Sequence, residues 1–278
     1  MTYFTIIGAT GFIGSHLVTF LRKQGFYCLT PTRNEHLEGN LGQVIYCAGV
    51  TGDFRSRPFD TMDAHIYYLF KILRDSNYES LLYLSSTRVY QRLPFDAIAE
   101  ETTTIPVNVN DPSDLYNLSK LAGESICLAN NNPKVRIARL SNVYGKDFRS
   151  INFLTVILRQ ALVNGHVKLD IALESSKDYI FIEDVVYALQ FISISGSNRL
   201  YNVACGHNVS NADIVGQLKV LTGCSVSVNA KAVQVNFPRI SIERLQQEIN
   251  FKPTSLLANF KLLLAGYREI INGYDNDR

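Results

Sequence analysis

Tyr116 and Lys120 stand four residues apart in Pro112–Asn130, a stretch patterned as a helix, so their side chains share one face. A phenol ionises near pH ~10 and is a poor base at neutral pH. An ammonium beside it stabilises the phenolate and draws its ionisation toward a useful range. Upstream, the strand-like run Leu81–Leu84 ends in Ser85 and Ser86. A hydroxyl at that strand end can donate to a substrate oxygen whose negative charge grows as hydride moves. Tyr-x-x-x-Lys arises by chance in many helices. Its weight here comes from its place, after a Ser-Ser strand end and before the strand-like Val135–Leu140.

A second constellation supplies a partner for that chemistry. Gly8-Ala9-Thr10-Gly11-Phe12-Ile13-Gly14 follows the apolar run Tyr3–Ile7 and opens an amphipathic stretch. Gly8 permits a tight turn, Gly11 lets backbone amides approach a pyrophosphate, and Gly14 allows close packing of helix on strand. The helix N-terminus offers oriented N–H groups to the phosphates. Dinucleotide binding is the expected use, with Gly8, Thr10, Gly11, Phe12, Ile13 and Gly14 around it. Lys120 could then also bond the nicotinamide ribose. The residue that reads the adenosine ribose falls at Thr32, with Arg33 beside it. No carboxylate occupies that slot and a guanidinium adjoins it, which favours NADP, with NAD as the alternative. Glu35 is close enough to swing back and reverse that preference.

The elements needed to hold these groups are legible along the chain. Tyr3–Ile7, Tyr27–Thr30, Val44–Cys47, Leu81–Leu84 and Val135–Leu140 read as short apolar strands covered on both faces. Phe12–Gln24, Thr61–Asp75 and Pro112–Asn130 read as helices between them, the last with Asp111 as N-cap and Pro112 at the first helical position. This alternation predicts an α/β fold, a Rossmann-like doubly wound parallel sheet. Later, Ile151–Val163, Glu183–Ile192, Ser210–Leu221 (capped by Ser210) and Thr254–Ile271 read as helices, Asp178–Ile182 and Leu200–Ala204 as strands, and Asp275–Arg278 as a polar tail. We expect a dinucleotide domain over 1–145, with 175–205 returning to it. Residues 146–174 and 206–278 would form a small C-terminal substrate-binding lobe.

The GxxGxxG spacing with its Ala-Thr filling resembles the extended short-chain dehydrogenase/reductase family, the nucleotide-sugar epimerases and dehydratases. Ser86-Thr87-Arg88-Val89-Tyr90 is similar to that family's Ser/Thr-x-x-Val-Tyr segment, whose first hydroxyl is catalytic, and this selects Ser86 over Ser85. Arg139–Gly145 resembles the segment whose backbone flanks the nicotinamide and whose Asn touches the substrate's phosphates. Lys177-Asp178-Tyr179 through Asp184-Val185 resembles its Arg-Asp-Tyr…Asp-Val signature. The resemblance therefore implies Ser86, Tyr116 and Lys120 as catalytic residues. It places Cys47, Ala48, Gly49, Leu84 and Leu140 beside the cofactor, and Thr51, Ser86, Asn142 and Lys177 on a nucleotide-sugar substrate. It further implies an epimerase or a 4-ketoreductase, and a homodimer built on the Tyr116 helix. A non-catalytic dinucleotide sensor of the same fold is the rival reading.

Four departures from the family pattern stand out. Arg33 to Val44 is too short for the usual third strand and its preceding helix. His65 falls where an Asn is usual, either as a packed or capping group or as a proton relay. Thr87 and Arg88 replace the Asp-Glu that water elimination requires, which disfavours dehydration. Gln91 replaces a Gly. Arg55 and Arg57, in a loop at the cofactor side, are candidates for an anionic substrate or simply solvated cations.

Composition narrows the remaining classes. With 27 Lys plus Arg against 25 Asp plus Glu, the net charge of +2 gives no general field for nucleic acid or an acidic membrane. Cys28, Cys47, Cys127, Cys205 and Cys224 are odd in number and include no CxxC, so reduced thiols are expected. No apolar run is long enough to span a bilayer, and no cationic n-region precedes an apolar stretch. A cytoplasmic protein without membrane or nucleic-acid partners is the expectation. The five histidines are scattered, and no metal site is expected.

Overall fold

Parallel strands buried on both faces are mostly apolar, and the expected blocks are, with Arg136 and Arg139 in Val135–Leu140 the charged exceptions. In the computed structural model, which describes residues 2–33, 35, 37–147 and 150–276, with side chains to 272, the strands are β1 (Tyr3–Ile7), β2 (Tyr27–Leu29), β3 (Gln43–Tyr46) and β4 (Ser80–Ser86), followed by Val135–Leu140 and Leu200–Val203. Together they form a six-stranded, wholly parallel sheet in the order Leu200–Val203, Val135–Leu140, β4, β3, β1, β2. The helices are α1 (Phe12–Lys23), α2 (Pro58–Met62), α3 (Tyr68–Asp75) and α4 (Leu115–Ala129), with five more beyond. Side chains alternate along each strand. Phe4, Ile6, Ile45, Leu82 and Leu84 pack with Leu17 and Leu21 of α1 and with Val185, Leu189 and Ile192 of helix Ile182–Ser195. Val44, Tyr46, Leu81 and Tyr83 face Leu69, Ile72 and Cys127 on α3 and α4. Helices thus cover both faces, as a doubly wound sheet requires.

β1 pairs with β2 on one side and β3 on the other, so the chain reverses its winding there and opens a crevice at the strands' carboxyl ends. β2 is the edge strand. Among the described residues between 30 and 42, the chain returns to β3 without helix or strand, apart from a bridge at Asn40. The short spacing thus removes one strand from that edge.

Local differences from the sequence reading have physical causes. The helix expected over Thr61–Asp75 begins earlier, at Pro58, whose fixed φ suits the first turn. It is interrupted by a π turn, Asp63–Tyr67, which carries His65. The stretch expected as helix Ile151–Val163 is α-helical over Phe153–Arg159, with Asn152 capping the Thr155 amide at 2.9 Å, then continues as a π turn that ends at Gly165, φ 62°. The final helix starts at Leu256, because the Thr254 amide is held by the Asp184 carboxylate at 2.7 Å. It runs to Asn276, so Asp275 is helical, whereas Asp277 and Arg278 lie outside the described residues.

The strand expected at Asp178–Ile182 spans Ser176–Phe181. It joins Asn142–Tyr144 and Asn208–Ser210 in a separate three-stranded sheet. A second apolar core gathers around Leu154, Leu158, Leu169, Leu218, Phe260 and Leu264. Its segments border the carboxyl edge of the main sheet. Among the described residues no helix is long and apolar enough to cross a membrane, and no group of three His, Cys, Asp or Glu side chains could hold a metal ion.

Candidate active site

The turn after β1 is built around its glycines. Gly8 has φ +85°, and a Cβ there would sit 2.7 Å from the Ala48 amide nitrogen. A Cβ on Gly14 would lie 2.3 Å from the Gly8 carbonyl oxygen. Gly11 differs: its φ is −74° and a Cβ would meet only the Gly8 oxygen, at 3.4 Å. Neither conformation nor tight packing demands glycine there, so the room it leaves faces the cleft. The α1 N-terminus has no side-chain cap and no acidic residue in its first turn. Its free N–H groups fit an anionic pyrophosphate.

Two clefts meet at this turn. One, of about 1070 Å³, is lined by Gly8, Thr10, Gly11, Thr32, Arg33, Cys47, Ala48 and Gly49 among others. The second, of about 840 Å³, shares Thr10, Gly11, Cys47, Ala48 and Gly49 with the first. It adds Phe12, Ile13, Gly14, Thr51, Leu84, Ser86, Tyr116, Lys120, Leu140, Asn142 and Lys177. Every residue expected to act in catalysis or to touch cofactor or substrate therefore borders one of two clefts that share their glycine-turn wall, whereas His65 and Arg55 line neither.

At the ribose end, Arg33 lies 5.3 Å from the Tyr68 ring centroid. The Glu35 carboxylate does fold back, but onto its own turn, where it accepts from the Thr32 amide at 2.9 Å. At the other end, Ser86 and Tyr116 line the second cleft together, the Ser86 hydroxyl near enough to lower the phenol's pKa. Ser86 Oγ also accepts from the Arg88 amide at 3.2 Å. Ser85 reaches the same wall but spends its hydroxyl on Glu124 at 2.5 Å. Tyr116 is buried, its ring 5.4 Å from those of Phe54 and His65. Burial pushes its phenol up, while the Ser86 hydroxyl and the Arg88 charge draw it down.

Lys120 departs from expectation. Its Nζ donates to the Leu84 carbonyl at 2.9 Å and lies 5.9 Å from the Tyr116 ring centroid. Burial pulls the ammonium down to about 7. A second cation, Arg88, lies at a similar distance from the Tyr116 ring, 6.0 Å, and its charge lowers the phenol's pKa, although sequence reasoning treated it only as a replacement for an acid. Its position two residues beyond Ser86 was the available signal.

The remaining candidates are partly committed. Asn142 donates its amide to the Asp178 carbonyl at 2.8 Å. Lys177 lies between the rings of Phe153 and Phe237, at 5.8 and 5.9 Å, and burial lowers its pKa. Arg57 is paired with Asp53 and Asp60 at 3.2 and 2.8 Å, and Arg55 donates to Ser113 at 3.0 Å.

His65 is fully buried. Its Nε2 accepts from the Val50 amide at 3.2 Å, so Nδ1 carries the proton that reaches Ser119 Oγ at 2.8 Å. Both ring nitrogens are spent, which fits a tie between the glycine-side loop and α4 and leaves none for a relay. Burial and the Lys120 charge lower its pKa to about 2. Below pH ~6.5 the unfolded chain takes up a proton that the folded one refuses, so stability falls as pH drops. Urea unfolding should therefore lose about 2 kcal/mol more between pH 7 and pH 5 in wild type than in His65→Asn. Parallel losses in the two proteins would refute the buried neutral ring.

Comparison with known proteins places this geometry among relatives. The chain is 22% identical to a dTDP-4-dehydro-6-deoxy-D-allose reductase of a Streptomyces species, over 95% of both chains. Its fold matches MoeE5 in complex with UDP-glucose and NAD, with TM-score 0.79, 21% identity, and coverage of 97% of this chain and 99% of that one. It also matches RMD from Pseudomonas aeruginosa complexed with NADPH, with TM-score 0.76, 24% identity, and coverage of 96% and 99%. Residues 35–204, more than half the length, match the model of the NAD dependent epimerase/dehydratase family, and the chain belongs to that family.

Proposed function

We propose that the protein is an NADP-dependent reductase of a nucleotide-activated keto sugar. The observation that carries this reading is the convergence of the Ser86 hydroxyl, the buried Tyr116 phenol and Lys120 on the wall of the second cleft, where it meets the glycine-turn cleft. A bound nicotinamide dinucleotide supplies hydride to the sugar carbonyl carbon. Tyr116 gives its proton to the oxygen as that charge develops, and Ser86 donates to the same oxygen. Lys120, anchored on Leu84, is placed to bond the nicotinamide ribose. Lys177, whose side chain makes no hydrogen bond or ion pair among the described residues, is a point charge for the nucleotide diphosphate. The lobe formed by 146–174 and 206–278 would grip the nucleotide over the dinucleotide domain.

Reduction is favoured over epimerisation by Arg33 at the ribose slot and by the likeness to a reductase along almost the whole chain. Dehydration lacks its carboxylates, since Thr87 and Arg88 follow Ser86. With a nucleotide-linked 4-keto sugar, the purified protein should oxidise one NADPH for each alcohol formed. Conversion between two sugar epimers with no net NADPH loss would make it an epimerase instead.

Arg33 sets the cofactor preference in this reading, because the nearby Glu35 carboxylate is occupied by Thr32. NADP should bind at least about tenfold tighter than NAD in fluorescence titrations, the scale of one charge-assisted contact to the 2′-phosphate. Arg33→Ser should bring the two cofactors within a few-fold of each other. Tighter binding of NAD by the unaltered protein would overturn the assignment.

A further inference from the structure

Arg88 is the unexplained charge of the site. It leaves the end of β4 and lines the same cleft as Ser86 and Tyr116. Its guanidinium carbon lies 5.5 Å from the Phe54 ring centroid and 6.0 Å from that of Tyr116. Its Nε is buried with no hydrogen-bond partner, and among the described residues no carboxylate forms an ion pair with it. The nearest acids are otherwise engaged: Asp114 is held by Arg92, Gln91 and Asn117, and Asp111 by Arg92. A partly buried cation without a partner is costly, so a fold that keeps one is storing charge for use.

We infer that Arg88 is an electrostatic partner of the Tyr116 phenolate, holding a permanent positive charge beside it and taking the part that the helix ammonium cannot fill alone. This rests on the proton-shuttling reading of Tyr116 given above. Two further observations support it. Lys120 has its Nζ turned to Leu84 and loses its proton at about 7, so its charge is halved near neutrality. A guanidinium stays charged throughout that range. The Arg88 amide also occupies a lone pair of Ser86 Oγ, which leaves the Ser86 proton free to point at Tyr116 or at substrate. One residue thereby orients the hydroxyl through its backbone and biases the phenol through its side chain.

The groups around Tyr116 are few. From α4 there is Lys120; from the π turn, neutral His65; from the loop after β3, Phe54 and Arg55, the latter a like charge against Arg88. Tyr83 lies below in β4, and Lys177 across the cleft feels the Arg88 charge. Among these Arg88 is the cation whose charge reaches the phenol and does not titrate near neutral pH.

The test compares wild type with Arg88→Gln and Arg88→Lys. Ultraviolet titration at the phenolate band, read as a difference from Tyr116→Phe in each background, reports the Tyr116 ionisation without turnover. Arg88→Gln should move that ionisation up by at least about one pH unit, the scale for a nearby unpaired charge, and Arg88→Lys should restore most of it. The high-pH limb of the kcat/KM profile, where Tyr116 loses the proton it donates, should move up with it, while the rate at pH 7 should fall by less than about tenfold because the phenol is still protonated but a weaker acid. Thermal unfolding of Arg88→Gln should show no loss of Tm, since a desolvated charge has been removed. An ionisation unchanged in Arg88→Gln overturns the inference, and so does a lowered Tm with an unmoved limb, which marks a packing residue. If the phenol shifts as expected but no keto sugar is reduced by wild type, the inference stands and the reductase reading fails.

Discussion

Tyr116→Phe should reduce turnover by about a thousandfold, within the range of 10²–10⁴ attributed to a positioned acid or base. The substitution is unusually clean here. The ring is held by Phe54 and His65, both 5.4 Å away, and these contacts survive loss of the hydroxyl. Among the described residues the phenol's nearest polar neighbour is Ser86, whose oxygen keeps the Arg88 amide. Stability should change by no more than about 1 kcal/mol. Cofactor affinity should stay within a few-fold, because the glycine turn and Lys120 are untouched. Single-turnover oxidation of NADPH by a nucleotide-linked keto sugar measures the chemical step directly. Turnover kept within tenfold of wild type would remove Tyr116 from its assigned role. Equal loss of cofactor binding would make it a binding residue instead.

The parts of this site that are local in sequence were legible, and those that depend on distant partners were not. The glycine turn declares itself because Gly8, Gly11 and Gly14 lie within one strand-turn-helix unit, and the packing at Gly14 follows from that unit, whereas the crowding at Gly8 comes from Cys47 and Ala48 after β3. The Tyr116–Lys120 face follows from helical periodicity. The shortened edge of the sheet could be read from the spacing between Arg33 and Val44. The direction of the Lys120 side chain could not, because the Leu84 carbonyl that receives it belongs to a strand 36 residues earlier. Arg88 sits two residues beyond Ser86, but its sequence position does not show that its guanidinium is partly buried, with Nε lacking a hydrogen-bond partner. The π turn at Asp63–Tyr67 leaves no periodic trace over so few residues, although it decides where His65 points.

Beneath the site lies the contact with the largest expected effect on stability. Arg139, at the end of strand Val135–Leu140, meets Glu124 of α4 through two hydrogen bonds, 2.6 and 2.9 Å, with both side chains almost fully buried. Ser85 donates to the same carboxylate, and Arg139 donates onward to Tyr90 Oη at 2.6 Å. The pair thus joins α4, β4 and the neighbouring strand one helical turn from Lys120. Removing either partner leaves the other charged in a space that water does not reach, which costs about 3–5 kcal/mol. Arg139→Met and Glu124→Leu should each lower Tm by roughly 10 °C, given about 2–4 °C per kcal/mol for chains of comparable size. The double variant should recover most of that loss, because two apolar side chains replace a pair whose desolvation nearly cancels its attraction. The site should register the change separately. The Glu124 charge holds the Lys120 ammonium up against burial, so without it Lys120 loses its proton at lower pH even where stability is restored. Losses that simply add in the double variant would mean that the two charges do not act as a pair, and that α4 is held against the sheet by apolar packing alone.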